Sequence, residues 1–163
     1  MSKLQFRVHN GMDIIDSRDI VARVQELESE LEYTHHQELE AQDAWLAEVG
    51  PEAVIGPRIP ADFDAWLKVQ ADSDIDDAME LLMLRSLVEE INANAGDNAE
   101  DGVALIADSY FEEYAEEFAQ DIGAIQRGAN WPLDCIDWAR AARELQYDYS
   151  QVDFDGVTYW VHS

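Results

Sequence analysis

The stretch "VALIADSYFEEYAEEFAQDIGAI" (103–125) decides the fold class. Its first five residues, "VALIA" (103–107), form an apolar run of the length and branching expected of a buried strand. Asp108 or Ser109 then offers a side-chain oxygen to the first free amides of a helix. Beyond that cap, Phe111, Tyr114, Ala115, Phe118 and Ile122 recur at i, i+3, i+4, i+7 and i+11. That spacing predicts one buried face on a helix over 109–123. A strand running straight into an amphipathic helix predicts an α+β unit.

The other side of this helix carries Glu112, Glu113, Glu116, Glu117 and Asp121 with no Lys or Arg among them. Glu112 with Glu116, Glu113 with Glu117, and Glu117 with Asp121 are like-charge pairs one turn apart. Each costs roughly 0.2–0.5 kcal/mol where a Glu–Lys pair would stabilise. Two carboxylates per helical turn of ~5.4 Å give about one charge per 2.7 Å. Duplex DNA carries one charge per ~1.7 Å of axis, or ~3.4 Å along each strand. The helix thus matches phosphate density at a local cost in stability.

Downstream, "GANWPLDC" (128–135) reads as a loop and "IDWARAARELQYDY" (136–149) as a second helix, where Arg140 lies one turn from Asp137 and Glu144. The mixed signs there contrast with the all-acid face before it. In "QVDFDGVTYWVHS" (151–163), Asp155-Gly156 separates two alternating segments. That dipeptide supplies the positive φ angles of a type I′ turn, so a hairpin is predicted. Residues 103–163 therefore read as β-α-α-β-β with a three-stranded antiparallel sheet.

Upstream, the chain is mostly helical. "LQFRVH" (4–9) alternates as a short strand. Ile20, Val24, Leu27 and Leu31 make a helix stripe that weakens after Leu31, so a break is expected near Thr34. "GPEAVIGPRIP" (50–60) holds three of the four prolines and reads as a linker. Helical patterns follow at 61–71 and 73–93, then a loop at 94–102. Three consecutive segments result: 1–56 with a strand and a long acidic helix, 57–102 as a helical middle region, and 103–163 as the α+β unit.

Thirty-six Asp and Glu face ten Lys and Arg, for a net charge of −26. A small domain needs a magnitude of only about 2–8 for solubility, and a larger excess strains the compact state by self-repulsion. The aromatic content, with five Trp, six Tyr and five Phe, argues for a packed core rather than an acidic tail. Direct binding of nucleic acid or anionic lipid would need basic patches. A basic, DNA-binding protein is the expected partner. The acids are also clustered. Between Arg85 and Arg127 stand Glu89, Glu90, Asp97, Glu100, Asp101, Asp108, Glu112, Glu113, Glu116, Glu117 and Asp121, without a basic residue. A second basic-free tract runs from Glu26 to Glu52.

The sequence over 103–162 resembles the carboxyl-terminal region of ArdA-type antirestriction proteins, which are phage- and plasmid-borne DNA mimics. The residues that carry the resemblance are "ADSYFEEYAEEFAQDIGAI" (107–125), "WPLDCIDWARAARELQYDY" (131–149) and "VDFDGVTYWV" (152–161). Tyr114 to Ala124 matches a family helix of the type Y-A-E-E-x-x-x-D-x-G-A. Ile136 to Leu145 matches the following I-D-W-x-x-A-A-R-E-L helix. The resemblance implies an elongated acidic protein, often a homodimer, that fills the DNA groove of type I restriction–modification enzymes. Residues 1–102 do not show the strand-rich amino-terminal domain of that family. A different front half points to another DNA-binding defence complex as the target, with CRISPR effectors the obvious class.

Other constellations carry less. His35 and His36 near Glu32, Glu38 and Glu40 lack the second matching pair a metal site would need. "DSDIDDAMELLM" (72–83) has acids at calcium-loop positions but Asp77 where the loop needs Gly and Met83 where it needs Glu. Those acids suit a helix's first turn instead. Cys135, the lone cysteine, lies between Asp134 and Asp137 and is read as a small buried side chain. Trp131, Trp138, Tyr159 and Trp160 are assigned to the core. No glycine-rich phosphate loop or nucleophile motif occurs, so neither an enzyme nor a cofactor is expected. No apolar run approaches bilayer length, and the simplest expectation is the cytoplasm of a bacterial host. The predicted function is competitive inhibition of a DNA-binding defence complex by patterned carboxylates. The eleven acids between 89 and 121 are the candidate phosphate surrogates. The alternative is an interaction module that docks through apolar contacts without mimicry.

Overall fold

The computed structural model describes residues 8–50, 56–126, 128 and 130–163. Its elements are β1 (Ile14–Asp16), α1 (Ser17–Val49), α2 (Phe63–Asp72), α3 (Asp76–Asn94), β2 (Ala104–Ala107), α4 (Phe111–Asp121), α5 (Trp138–Leu145), β3 (Tyr149–Phe154) and β4 (Val157–His162), with short 3-10 turns between some of them. The class is α+β with a helical amino-terminal part, as the periodicities predict. The sheet has four strands rather than three, in the order β1-β2-β4-β3, and every pairing is antiparallel.

The extra strand is β1. Ile14, Ile15 and Asp16 pair with Ile106, Leu105 and Ala104. Three residues are too few to show alternation, and the chain enters α1 at the next residue. Ser17 makes this junction. Its buried hydroxyl donates to the Ala99 carbonyl at 2.6 Å and accepts from the Val103 amide at 2.7 Å, and its own amide donates to the Val103 carbonyl at 2.9 Å. The strand expected over 4–9 lies mainly outside the described residues; Val8 and His9 belong to no strand. The linker expected over 50–60 is likewise described only at Gly50 and from Gly56 onward.

Two compact units emerge, one of residues 1–21 with 86–163 and one of residues 22–85. This grouping differs from three consecutive segments, because β1 is far from β2 in sequence but pairs with it.

In the unit formed by 22–85, α1 runs through Thr34 without the expected break. The apolar stripe does fade after Leu31, and polar anchors replace it. His35 is buried, stacks on Trp66 with centroids 5.0 Å apart, and bonds the Pro60 carbonyl through Nε2 at 2.7 Å. Glu38 accepts from Trp66 Nε1 at 2.8 Å, and Gln42 accepts from the Ile59 amide at 2.8 Å. Arg23 is buried and forks onto Glu80 at 2.9–3.0 Å while reaching Glu26 at 2.9 Å. The Glu80 bond raises its pKa further above the ordinary guanidinium value. Asp76 and Asp77 stand in the first turn of α3, as the calcium-loop rejection anticipates.

In the other unit, register assigns the two faces of the sheet, since directly paired residues point the same way. Val152 pairs with Tyr159 and Tyr159 with Ala107, which places Leu105, Ile15, Phe154 and Val161 on the same face; all are buried. Ile106 and Trp160 lie on the opposite face with Tyr149. Phe111 and Ala115 of α4 and Ala142 of α5 pack there, with Tyr110, Tyr114 and Leu145 around them. Burial on both faces explains why β2 reads as a continuous apolar run instead of an alternation. The β3–β4 turn is as predicted: Phe154 pairs with Val157 across Asp155 and Gly156, with φ of 49° and 78°.

The second helix of this unit is shorter than expected. α5 ends at Leu145, a 3-10 turn covers Gln146–Asp148, and Tyr149 begins β3. The ladder with His162 and the burial of the Tyr149 ring against Phe111 outweigh the local helical pattern.

Tyr149 gives a pH prediction. Burial, then the 2.9 Å bond between its hydroxyl and that of Tyr114, raises its phenol pKa well above the ordinary value. A folded-state pKa raised in this way contributes stability that is complete below the unfolded value of about 10 and disappears as pH climbs through the folded value. Phenolate absorbance should therefore show late tyrosine titration whose amplitude Tyr149→Phe reduces by one phenol. The native protein should lose stability above about pH 10 more steeply than that variant does.

Candidate functional site

All eleven candidate carboxylates fall in the unit of 1–21 with 86–163. Glu112, Glu113, Glu116, Glu117 and Asp121 are gathered on α4. Eleven residues at ~1.5 Å each make α4 about 16 Å long, so its five acids average one per ~3.3 Å. That is close to the ~3.4 Å spacing along one strand of a duplex. The other six come from three segments. Glu89 and Glu90 lie near the end of α3, Asp97, Glu100 and Asp101 in the following turn and 3-10 segment, and Asp108 in the 3-10 turn that precedes α4. Glu90 and Glu116 are half-buried; the remaining nine are exposed.

Beneath the face, the other side of α4 packs into an aromatic core. Phe111 is 1% exposed, meets Tyr149 edge-on at 5.1 Å and an 88° interplanar angle, and touches Tyr114 at 5.5 Å and Trp160 at 5.7 Å. The predicted buried stripe is only partly realised. Phe111 and Ala115 are buried and Tyr114 and Phe118 half-buried, but Ile122 is 62% exposed. α4 ends at Asp121, so Ile122 lies past the helix that would have turned it inward.

Among the described residues, the hydrogen bonds that reach the candidate carboxylates come from neutral groups. Trp160 Nε1 donates to Asp108 and the Tyr110 hydroxyl to Glu117, both at 2.8 Å. Gln120 donates to Glu116 at 3.3 Å, Asn98 to Asp101 at 3.3 Å, and the Asp153 amide to Glu90 at 3.4 Å. The Glu117 bond raises the Tyr110 phenol pKa above its ordinary value. Among the described residues, no ion pair includes any of the eleven. The acids of the other unit differ. Glu26 and Glu80 pair with Arg23, Glu28 and Asp64 with Arg85, and Glu40 with His36. Part of the Glu26–Glu52 tract thus serves internal ion pairs.

Tyr110 and Trp160 were not singled out by sequence reasoning as part of this face. Tyr110 lies two turns before Glu117, an i, i+7 relation visible in the sequence; Trp160 reaches Asp108 only through the β2–β4 pairing.

Two core assignments are corrected. Trp131 is 79% exposed and Cys135 is exposed, because 130–137 is a loop with a 3-10 turn and no element lies over these side chains in the described structure. Trp138 and Trp160 are half-buried, and Tyr159 is fully buried. The mixed charges of α5 do not bond as their spacing suggests: Asp137 accepts from the backbone amide of Arg140 as a helix cap at 3.0 Å. Among the described residues, no group of His, Cys, Asp and Glu is placed to hold a metal ion. Nor is any helix long and apolar enough to cross a membrane.

Fold and face together define an acidic α+β protein with a helix of closely spaced carboxylates that make no ion pair among the described residues. Comparison with protein-family models, curated proteins and solved structures gives no match.

Proposed function

We propose that the chain is a DNA-mimic inhibitor of a bacterial DNA-binding defence complex, a type I restriction–modification enzyme or a CRISPR effector. The α4 face carries this reading. Five acids at phosphate-like spacing stand on a helix whose other side is locked into an aromatic core, and neutral donors hold part of the face without cancelling its charge. Such a surface competes with duplex for a groove lined with Lys and Arg, through complementary potential and rapid steered encounter. The resemblance of 103–162 to ArdA-type proteins supports the same class of target. In this reading the protein acts in the host cytoplasm, as a monomer or homodimer, and needs no cofactor.

The experiment is a pull-down from bacterial lysate at low salt, with elution by duplex DNA. Mimicry predicts that the captured protein is a DNA-binding complex and that duplex releases it.

A second reading has its own observation. Ile122, Trp131, Leu133 and Tyr147 are large apolar side chains exposed within one stretch of the same unit. Exposed aromatics of this kind serve interfaces that close by apolar burial. A partner held through them would resist both salt and duplex DNA.

A further inference from the structure

We propose that Tyr110 and Trp160 are positioning residues of the acidic face, neutral donors that fix the Glu117 and Asp108 carboxylates in place while leaving their charge intact. The proposal rests on the mimicry reading and deepens it. A carboxylate on a long side chain samples several rotamers, and ordering it at an interface costs about two- to twelvefold in affinity. A mimic benefits if that ordering is complete before the partner arrives. An Arg or Lys would order the carboxylate but cancel the charge the groove must read. A phenol or an indole N–H orders it and cancels nothing.

The geometry fits that division of labour. The Tyr110 hydroxyl and Trp160 Nε1 each donate at 2.8 Å, within the normal range for a good hydrogen bond. Both rings pack against the cluster around Phe111, so the donors are themselves held by the core. Trp160 sits in β4, paired with Ile106, and its reach to Asp108 ties the first acid of the α4 region to the sheet. Tyr110 spans two turns to Glu117 in the middle of the face. In the other unit, by contrast, Arg23 orders Glu26 and Glu80 as ion pairs, which serves stability.

The test uses Tyr110→Phe and Trp160→Phe in the full chain, both of which preserve net charge. NMR first reads the positions directly. Wild-type Glu117 should show side-chain three-bond couplings of a single rotamer, averaged in Tyr110→Phe. The Trp160 indole proton resonance should move in Asp108→Asn. Binding is then measured against a purified type I restriction–modification enzyme and, as a flexible polycation, poly-lysine. Each Phe variant should bind the enzyme about two- to twelvefold more weakly, the cost of ordering one freed side chain at the interface, with poly-lysine binding unchanged. Tyr110→Phe removes only a hydroxyl from a half-buried side chain, so its melting temperature should stay near wild type. Averaged Glu117 couplings in the wild type would overturn the proposal, as would enzyme binding at wild-type strength in both variants. If the wild type leaves the enzyme unbound, mimicry of that enzyme's DNA fails, and the couplings alone decide whether the donors position the acids.

Discussion

Replacing Glu112, Glu113, Glu116 and Glu117 together by Gln is expected to weaken target binding by about 30- to 700-fold while leaving stability within about 1 kcal/mol of wild type. The binding loss follows from four ionic contacts at roughly 0.5–1 kcal/mol each, or about 2–4 kcal/mol in all, at ~1.4 kcal/mol per decade of affinity. Two opposing terms set the stability: three like-charge pairs, Glu112–Glu116, Glu113–Glu117 and Glu117–Asp121, are relieved, and Glu112 and Glu113 lose their charge in the first turn of α4. Relieving the pairs returns roughly 0.6–1.5 kcal/mol in total, and the lost first-turn charges cost about 0.3–1 kcal/mol each. Gln keeps the shape and can still accept the Tyr110 hydrogen bond, so the scaffold is preserved. A large binding loss at nearly constant stability separates a functional face from a merely solvated one. A solvated face would change neither by more than about 1 kcal/mol. Denaturant unfolding and titration against the captured target read the two effects.

Phe111→Ala should cost about 3–5 kcal/mol, the range for removing a buried aromatic side chain from a packed core. Against the ~5–15 kcal/mol that holds a typical domain together, that is a large fraction. Phe111 is the hub of this unit: it is 1% exposed and lies within 6 Å, centroid to centroid, of Tyr114, Tyr149 and Trp160. The cavity would loosen α4 on the sheet and weaken the seat of Trp160, which holds Asp108. Target affinity should therefore fall even though no charge has changed. Denaturant unfolding measures the stability term, and a loss under about 1 kcal/mol would show that Phe111 is not the anchor.

The two variants test different links of one chain of causes. The Gln variant removes charge and keeps the scaffold; the Ala variant keeps the charge and loosens the scaffold. Either alone could be explained by a trivial role for the helix. Both together require that fixed charge is what the partner reads.

What the sequence made legible follows from how each signal is encoded. Asp155-Gly156 announced the β3–β4 hairpin because a tight turn depends on two adjacent residues. Phe111 and Ala115 announced the buried side of α4 because helical period is a local property. β1 stayed hidden because its three residues gain their meaning only from pairing with β2, about ninety positions away. α1 continued past Thr34 because His35, Glu38 and Gln42 found partners near Pro60 and Trp66 that no apolar stripe foretells. The candidate face itself was legible as composition, since a run of acids with no Lys or Arg between Arg85 and Arg127 stands out in any reading. Its donors were less so: Trp160 meets Asp108 only after the sheet has formed.

The most direct measurement is the salt dependence of binding to the captured DNA-binding complex, made with and without its duplex. Mimicry predicts affinity that falls steeply between about 50 and 200 mM salt, as groove binding by an anion requires, and mutual exclusion of protein and duplex at every salt concentration. Affinity that barely changes with salt, or a stable ternary complex holding protein and duplex together, would contradict it.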